Sequence, residues 1–275
     1  MKKIITLIMI SVLASLTILT GCGKKVDTAN DGVFKVGMEA AYAPFNWTQT
    51  DDSNGAVKIE GTEEYAGGYD VQIAKKIAEG LGQELVIVKT VWEGLIPALQ
   101  SGTIDAIIAG MSPTDERKKS IDFTSNYYKS DLVMVVKKGG PYENAKTLAD
   151  FSGAKITAQL STFHYDVIDQ IPGVVKETAM NSFASLRVGL QSGVIDGYVS
   201  EKPGAISAAE ANSDFTYVTF EDGFDYSEND TAIAVGIKKD QADLLSKINA
   251  IVDKITLVEQ EDIMLQALKD QPEAK

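Results

Sequence analysis

The chain has 275 residues, 44% of them hydrophobic, and a formal net charge of −13. That is enough apolar residue for a folded core and enough chain for one large or two modest lobes. The acidity argues against nucleic acid as a partner, because phosphate contacts require a basic surface.

The first segment reads as a targeting signal. "MKKIITLIMISVLASLTILTGC" places two lysines before an apolar stretch and ends it in small residues, the layout of a secretory signal. A membrane-spanning helix needs roughly 20 predominantly apolar residues. Ile4 to Leu19 is shorter and is interrupted by Thr6, Ser11, Ser15 and Thr17. Cys22 is the only cysteine, so an intrachain disulfide is excluded. A reactive thiol or a packing residue are the general alternatives, but "LTGC" resembles the bacterial lipoprotein box, in which the cysteine is lipidated and becomes the mature N-terminus. The expectation is a signal peptide over 1–21, a polar tether over 22–32, and a lipid anchor at Cys22 holding the protein on the outer face of the cell membrane. Loss of Lys2 and Lys3 with the signal moves the formal charge from −13 to −15.

From residue 33 onward, strand and helix patterns alternate. "VFKVGM" reads as a strand. "YDVQIAKKIAEGLG" carries Val71, Ala74, Ile77, Ala78 and Leu81 at helical spacing, with Gly82 suited to close the helix. "ELVIV" is a strand again, "WEGLIPALQSG" a short helix closed by Gly102, and "DAIIAG" a buried strand. Alternation of this kind predicts an α/β architecture with parallel sheets.

Further along, the pattern repeats itself. "LQSGTIDAIIAG" from Leu99 is matched by "LQSGVIDGYVSE" from Leu190. The repeat puts Ser112 and Arg117 beyond one strand end and Glu201 at the other. Open α/β sheets bind ligands at the carboxyl ends of their strands. A guanidinium grips a carboxylate through two parallel hydrogen bonds, and an acid opposite it suits an ammonium. The pair therefore reads as a site for a zwitterion, with solvated surface residues as the alternative.

The stretches "VGMEAAYAPFNW", "GYDVQIAKKIAEGLG", "WEGLIPALQSGTIDAIIAGMSPTDERKKSIDFTSNYY" and "LVMVVKK" together resemble the polar amino-acid solute-binding proteins of bacterial ABC importers, over about 33–257. The resemblance implies a two-lobed periplasmic-binding-protein-like fold of type II with two hinge crossovers. Lobe 1 is then expected over 33–129 and 222–275, and lobe 2 over 130–221. It implies that Arg117 binds the α-carboxylate and that Glu201 takes the α-ammonium. Ala109, Gly110 and Ser112 would offer backbone and hydroxyl groups, Tyr42 and Trp92 would stack on the ligand side chain, and Ser161 with Thr162 would complete the carboxylate site. The bland readings are core aromatics for Tyr42 and Trp92 and helix caps for Ser161 and Thr162.

Four departures from the family pattern stand out. Glu39 and Glu201 replace the common Asp, Leu160 replaces a usual glycine, the 49–67 segment is an extended polar insertion, and the tail lacks an aromatic ending. Glu39 beside Tyr42 favours a cationic side chain, in the order arginine, then lysine or ornithine, with glutamine or another polar amino acid as the alternative. Permease and ATPase subunits would be partners of a monomeric binding protein, since the chain has no P-loop of its own. The competing class is a cyclohexadienyl dehydratase-like enzyme on the same fold; an adhesin or sensor domain is a third. Catalysis needs a poised acid or base. The one histidine, His164, has no Ser-His-Asp or Cys-His context, and no cluster suggests zinc. The reading is therefore a binding protein without cofactor or metal.

Overall fold

The computed structural model describes residues 32–272. The expected signal peptide, tether and Cys22 anchor lie outside the described residues. Two five-stranded sheets carry the fold.

Val33–Met38 is the centre of the first sheet's parallel part. It pairs in parallel with Glu84–Lys89 on one side and Ala106–Ile107 on the other. Ala232–Ile237 and Asp122–Lys129 then continue the sheet in antiparallel fashion. The helix Tyr69–Leu81 links the first two strands. Its apolar face (Val71, Ile73, Ala74, Ile77, Ala78) is buried, each large side chain stabilising the fold by about 1.5–3 kcal/mol. Gly82 ends the helix at φ +68°, where its N–H reaches the Ala78 and Glu79 carbonyls. A left-handed cap of this kind favours glycine.

The second sheet repeats the plan. Its order is Val175–Lys176, Lys155–Thr157, Gly197–Glu201, Leu132–Lys137 and Phe215–Val218, parallel over the first three strands and antiparallel at the last two junctions. The chain passes between the sheets twice, from Lys129 into Leu132 and from Val218 back to Ala232. This is the type II arrangement with two crossovers. The C-terminal helix Leu257–Asp270 packs on both Tyr69–Leu81 and Lys202–Ala211.

Two local outcomes differ from the sequence pattern. The apolar run "DAIIAG" forms strand only at Ala106–Ile107, because Gly110 turns the chain away at φ +63°. The polar insertion contributes Val57–Lys58 and Tyr65–Gly67 to a small antiparallel sheet with Asn46–Gln49 and Ala41–Tyr42. That sheet is tied to the edge of the first by the Glu60 amide, which donates to the Ile87 carbonyl at 2.8 Å. One apolar cluster fills the first sheet and continues through Tyr42 to Phe183, Leu186 and Tyr198 of the second half. A separate cluster fills the second sheet's other side.

Candidate functional site

The loop after Ala106–Ile107 builds one wall. Gly110 has no room for a side chain without crowding: a Cβ there would stand 3.2 Å from the Tyr42 ring. Ser112 is buried, and Thr114 caps the helix Asp115–Ser120 by accepting from the Arg117 amide. The cap aims the arginine inward. Its Nη1 donates to the Ser112 carbonyl at 2.9 Å and its Nη2 to the Ser161 carbonyl at 3.1 Å. The guanidinium lies over the Trp92 ring, 5.1 Å from its centroid, a cation–π arrangement. Burial pulls Arg117 down to about 10, with Glu201 and Asp230 opposing; it stays protonated at neutral pH.

Glu201 forms the opposite wall at the carboxyl end of Gly197–Glu201, 1% exposed. Although it precedes the helix Lys202–Ala211, its side chain does not cap that helix and faces the cleft. One oxygen accepts from the Tyr42 hydroxyl. The other lies 3.0 Å from His164 Nε2, an approach that lacks hydrogen-bond alignment, since both ring nitrogens are without an aligned partner. Burial pushes the Glu201 carboxyl up, but His164 and the Tyr42 hydrogen bond outweigh it and hold the group below its usual range. It is an anion. The Tyr42 hydroxyl is pushed well above its ordinary value by burial and by Glu201, so it remains a donor.

Tyr42 itself is a bridging side chain. It stacks on Phe183 at 4.1 Å and on Phe45 at 5.0 Å. A Cβ on Gly204 would meet its ring at 3.1 Å.

A single cavity brings most of the predicted residues together. Tyr42, Trp92, Gly110, Ser112 and Arg117 line one side, and Thr162 and Glu201 the other. Three predicted residues lie outside that lining. Ala109 is buried behind it. Ser161 meets Arg117 through its carbonyl and Glu93 through its hydroxyl at 3.3 Å. Glu39 sits one hydrogen bond back, accepting from Gln159 Nε2 at 3.2 Å; burial raises its carboxyl, opposed by that bond. The Thr162 hydroxyl does not cap the next helix but donates to the Gln159 carbonyl at 2.7 Å. At the position where the resemblance implies a glycine, Leu160 has no left-handed backbone, and the left-handed residue is Ser161, at φ +59°. Among the described residues, no group of three or more His, Cys, Asp or Glu side chains is placed to hold a metal, and no helix is long and apolar enough to cross a membrane.

Residues 34–260 match the model of the bacterial extracellular solute-binding proteins, family 3. The chain belongs to this family. The L-arginine-binding protein of Pseudomonas aeruginosa is 28% identical over 82% of this chain and 84% of that protein. The structure is similar to that of an amino acid ABC transporter substrate-binding protein from Streptococcus pneumoniae bound to L-arginine, with a TM-score of 0.76 and 28% identity over 86% of this chain and 94% of the other. It is also similar to an ancestral arginine-binding protein bound to glutamine, with a TM-score of 0.70 and 30% identity over 85% and 96%.

Within this family member, the cavity holds residues that the sequence reading left out. Gln159, Phe163 and Phe183 line it, as does His164, which the sequence alone marks only as a lone histidine near the ligand loop. Gln159 had a usable signal, since it stands two residues before Ser161. Phe183 had none, because it starts a helix and meets Tyr42 only through the tertiary fold.

Proposed function

We propose that this protein binds one free amino acid between its two sheets and delivers it to an ABC permease and its ATPase. The observation that carries the reading is the pair of opposed charges in one cavity, the Arg117 guanidinium and the Glu201 carboxylate. Arg117 takes the α-carboxylate with help from Ser112 and the Ser161–Thr162 loop. Glu201 takes the α-ammonium. Trp92 and Tyr42 give the side chain an aromatic boundary, and the Ala109–Gly110 segment supplies backbone groups. The mechanism is closure of lobe 1 (33–129 and 222–275) on lobe 2 (130–221) about the two crossovers, stabilised by contacts from both. No chemical step is needed, and the protein is read as a monomeric binding protein, not an enzyme.

The side chain is cationic, with arginine first, then lysine or ornithine. Glu39 is held near the cavity by Gln159 and destabilised by burial; a ligand cation would offset that cost. The arginine-binding protein of Pseudomonas aeruginosa and the arginine-bound protein of Streptococcus pneumoniae support the same reading. Glutamine is the second reading, favoured by the Gln159 amide and by the ancestral protein bound to glutamine. A thermal-shift screen of the twenty amino acids and ornithine decides between them, since a ligand that binds only the folded state raises its melting temperature. A larger shift with glutamine than with arginine overturns the cationic assignment, and turnover of prephenate or arogenate overturns the non-enzymic one.

The N-terminal 21 residues are read as a signal peptide and Cys22 as the lipidated anchor on the extracellular face of the cell membrane. Cys22→Ser should shift the protein from the detergent phase to the aqueous phase, or leave it unprocessed. Unchanged detergent partitioning would assign the anchoring to the apolar N-terminal stretch itself.

A further inference from the structure

Behind the cleft wall runs a buried polar network that the ligand contacts do not use. Asp70, in the first turn of Tyr69–Leu81, is fully buried. Its Oδ2 accepts from Asn46 Nδ2 at 2.7 Å and its Oδ1 from the Tyr127 hydroxyl at 2.7 Å. The Tyr127 hydroxyl in turn accepts the Gly110 amide at 3.3 Å. A strand, a helix and a second strand thus converge on one peptide of the cavity lining. A buried carboxylate is costly unless a cation faces it. Glu201, a group of the same sign, bears on Asp70 and raises it, while the Arg117 guanidinium across the cavity interacts with Glu201. Glu201 disfavours the ionised form of Asp70, and the amino-acid reading places an ammonium beside Glu201.

We propose that Asp70 is a positioning residue for the ligand ammonium: through Tyr127 it fixes the Gly110 peptide, and its buried charge acts with that of Glu201 to draw a cation into the cleft. The inference rests on the amino-acid reading of the site but not on which amino acid binds.

The arrangement has a consequence in pH. Burial pushes Asp70 up to about 7, Glu201 adding to it while Tyr127, Asn46 and the Gly110 amide oppose. The groups around it do not titrate alongside it: Tyr69 and Tyr127 are pushed upward by burial and by Asp70 itself, Tyr42 is pushed upward by burial and by Glu201, and Glu201 is held down. A cation favours the ionised carboxylate. Ligand binding therefore drives a proton off Asp70, and affinity rises with pH through about 7 and falls below it.

Calorimetry of the protein with L-arginine at pH 7, in phosphate and in Tris, reads the released protons from the difference in enthalpy. Release of roughly half a proton is expected from the wild type, as for a half-protonated group driven to ionise. Asp70→Asn should release almost none, which separates Asp70 from His164 beside Glu201. Tyr127→Phe should bind several-fold more weakly, because it cuts the link to Gly110. No release from the wild type, or equal release from Asp70→Asn, overturns the inference. If Asp70→Asn does not fold, the proton count in Tyr127→Phe serves, since loss of that hydrogen bond raises Asp70 further: a changed count supports the coupling and an unchanged one overturns it. Binding of L-glutamine without L-arginine overturns only the cationic assignment, and proton release with glutamine then decides the role of Asp70. Failure of all twenty amino acids to bind overturns both readings.

Discussion

The helix Leu95–Ser101 with strand Ala106–Ile107, and the helix Phe183–Ser192 with strand Gly197–Glu201, are one unit built twice. Each helix ends at a left-handed glycine, Gly102 at φ +79° and Gly193 at φ +78°. Each following aspartate clamps a neighbouring strand: Asp105 and Asp196 donate their amides to the carbonyls of Lys35 and Lys155 and accept those residues' amides on their side chains, all at 2.8 Å. The units part only where the chain leaves the sheet. In the first, the strand stops after two residues, Gly110 turns, and a capped helix brings in Arg117. In the second, the strand runs on for five residues, and its last, Glu201, is itself the wall of the cleft. One scaffold thus presents a cation by an early exit and an anion by a late one, and the polarity of the site comes from the exits.

If that is right, the two exits are separable from the two scaffolds. Arg117→Ala should have the largest effect, a loss of about 3–5 kcal/mol in ligand binding with an unchanged circular dichroism spectrum. Calorimetry with the best ligand checks it; near-normal affinity removes Arg117 from the site. Glu201→Gln should cost less, about 1.5–3 kcal/mol, because the amide oxygen can still accept from Tyr42 while the charge offered to the ammonium is gone. An equal affinity in the variant would place the ammonium elsewhere.

Much of this comparison was legible in the sequence because it is local. "LQSG" followed by an Ile-Asp pair announces a helix end and a strand start in both places, and Val33–Met38, Tyr69–Leu81 and Glu84–Lys89 follow from apolar spacing that needs no distant partner. Arg117 was legible through its position after a strand end. The remainder depends on contacts between segments far apart in the chain. Phe183 matters because Tyr42, 141 residues earlier in the sequence, stacks on it at 4.1 Å. His164 matters because the fold places it 3.0 Å from Glu201. The apolar pattern of "DAIIAG" gave no sign that the strand would stop at Ile107, since buried residues continue through Met111 after the strand pairing ends. Asp70 lies on a helix whose buried face reads as apolar, and only the three-way junction with Asn46 and Tyr127 explains its burial.

The scaffold half of the comparison is tested by the clamps. Asp105→Ala and Asp196→Ala each leave a strand amide without its side-chain acceptor, and each should cost about 1–2 kcal/mol of stability in urea denaturation. The two losses should be alike, and ligand affinity should hardly change, because neither aspartate lines the cavity. A large loss from one and none from the other would mean that the repeated sequence conceals two different structural roles.

The smallest expected effect belongs to Glu39, which lies outside both units and, in the proposed reading, bears on side-chain choice alone. It follows Val33–Met38, half-buried, and is held by Gln159 from the second half of the chain. In Glu39→Gln the shape and the acceptor oxygen remain, and the charge is lost. If a guanidinium or ammonium at the end of the ligand side chain pairs with this carboxylate in a partly solvated setting, the variant should lose about 1 kcal/mol for arginine and close to nothing for glutamine. The difference between the two ligands is the measurement, because it cancels any general disturbance of the Gln159 contact. Raised salt should weaken arginine binding in the wild type more than in the variant. Equal losses for the two ligands would show that Glu39 braces Gln159 and takes no part in choosing the ligand.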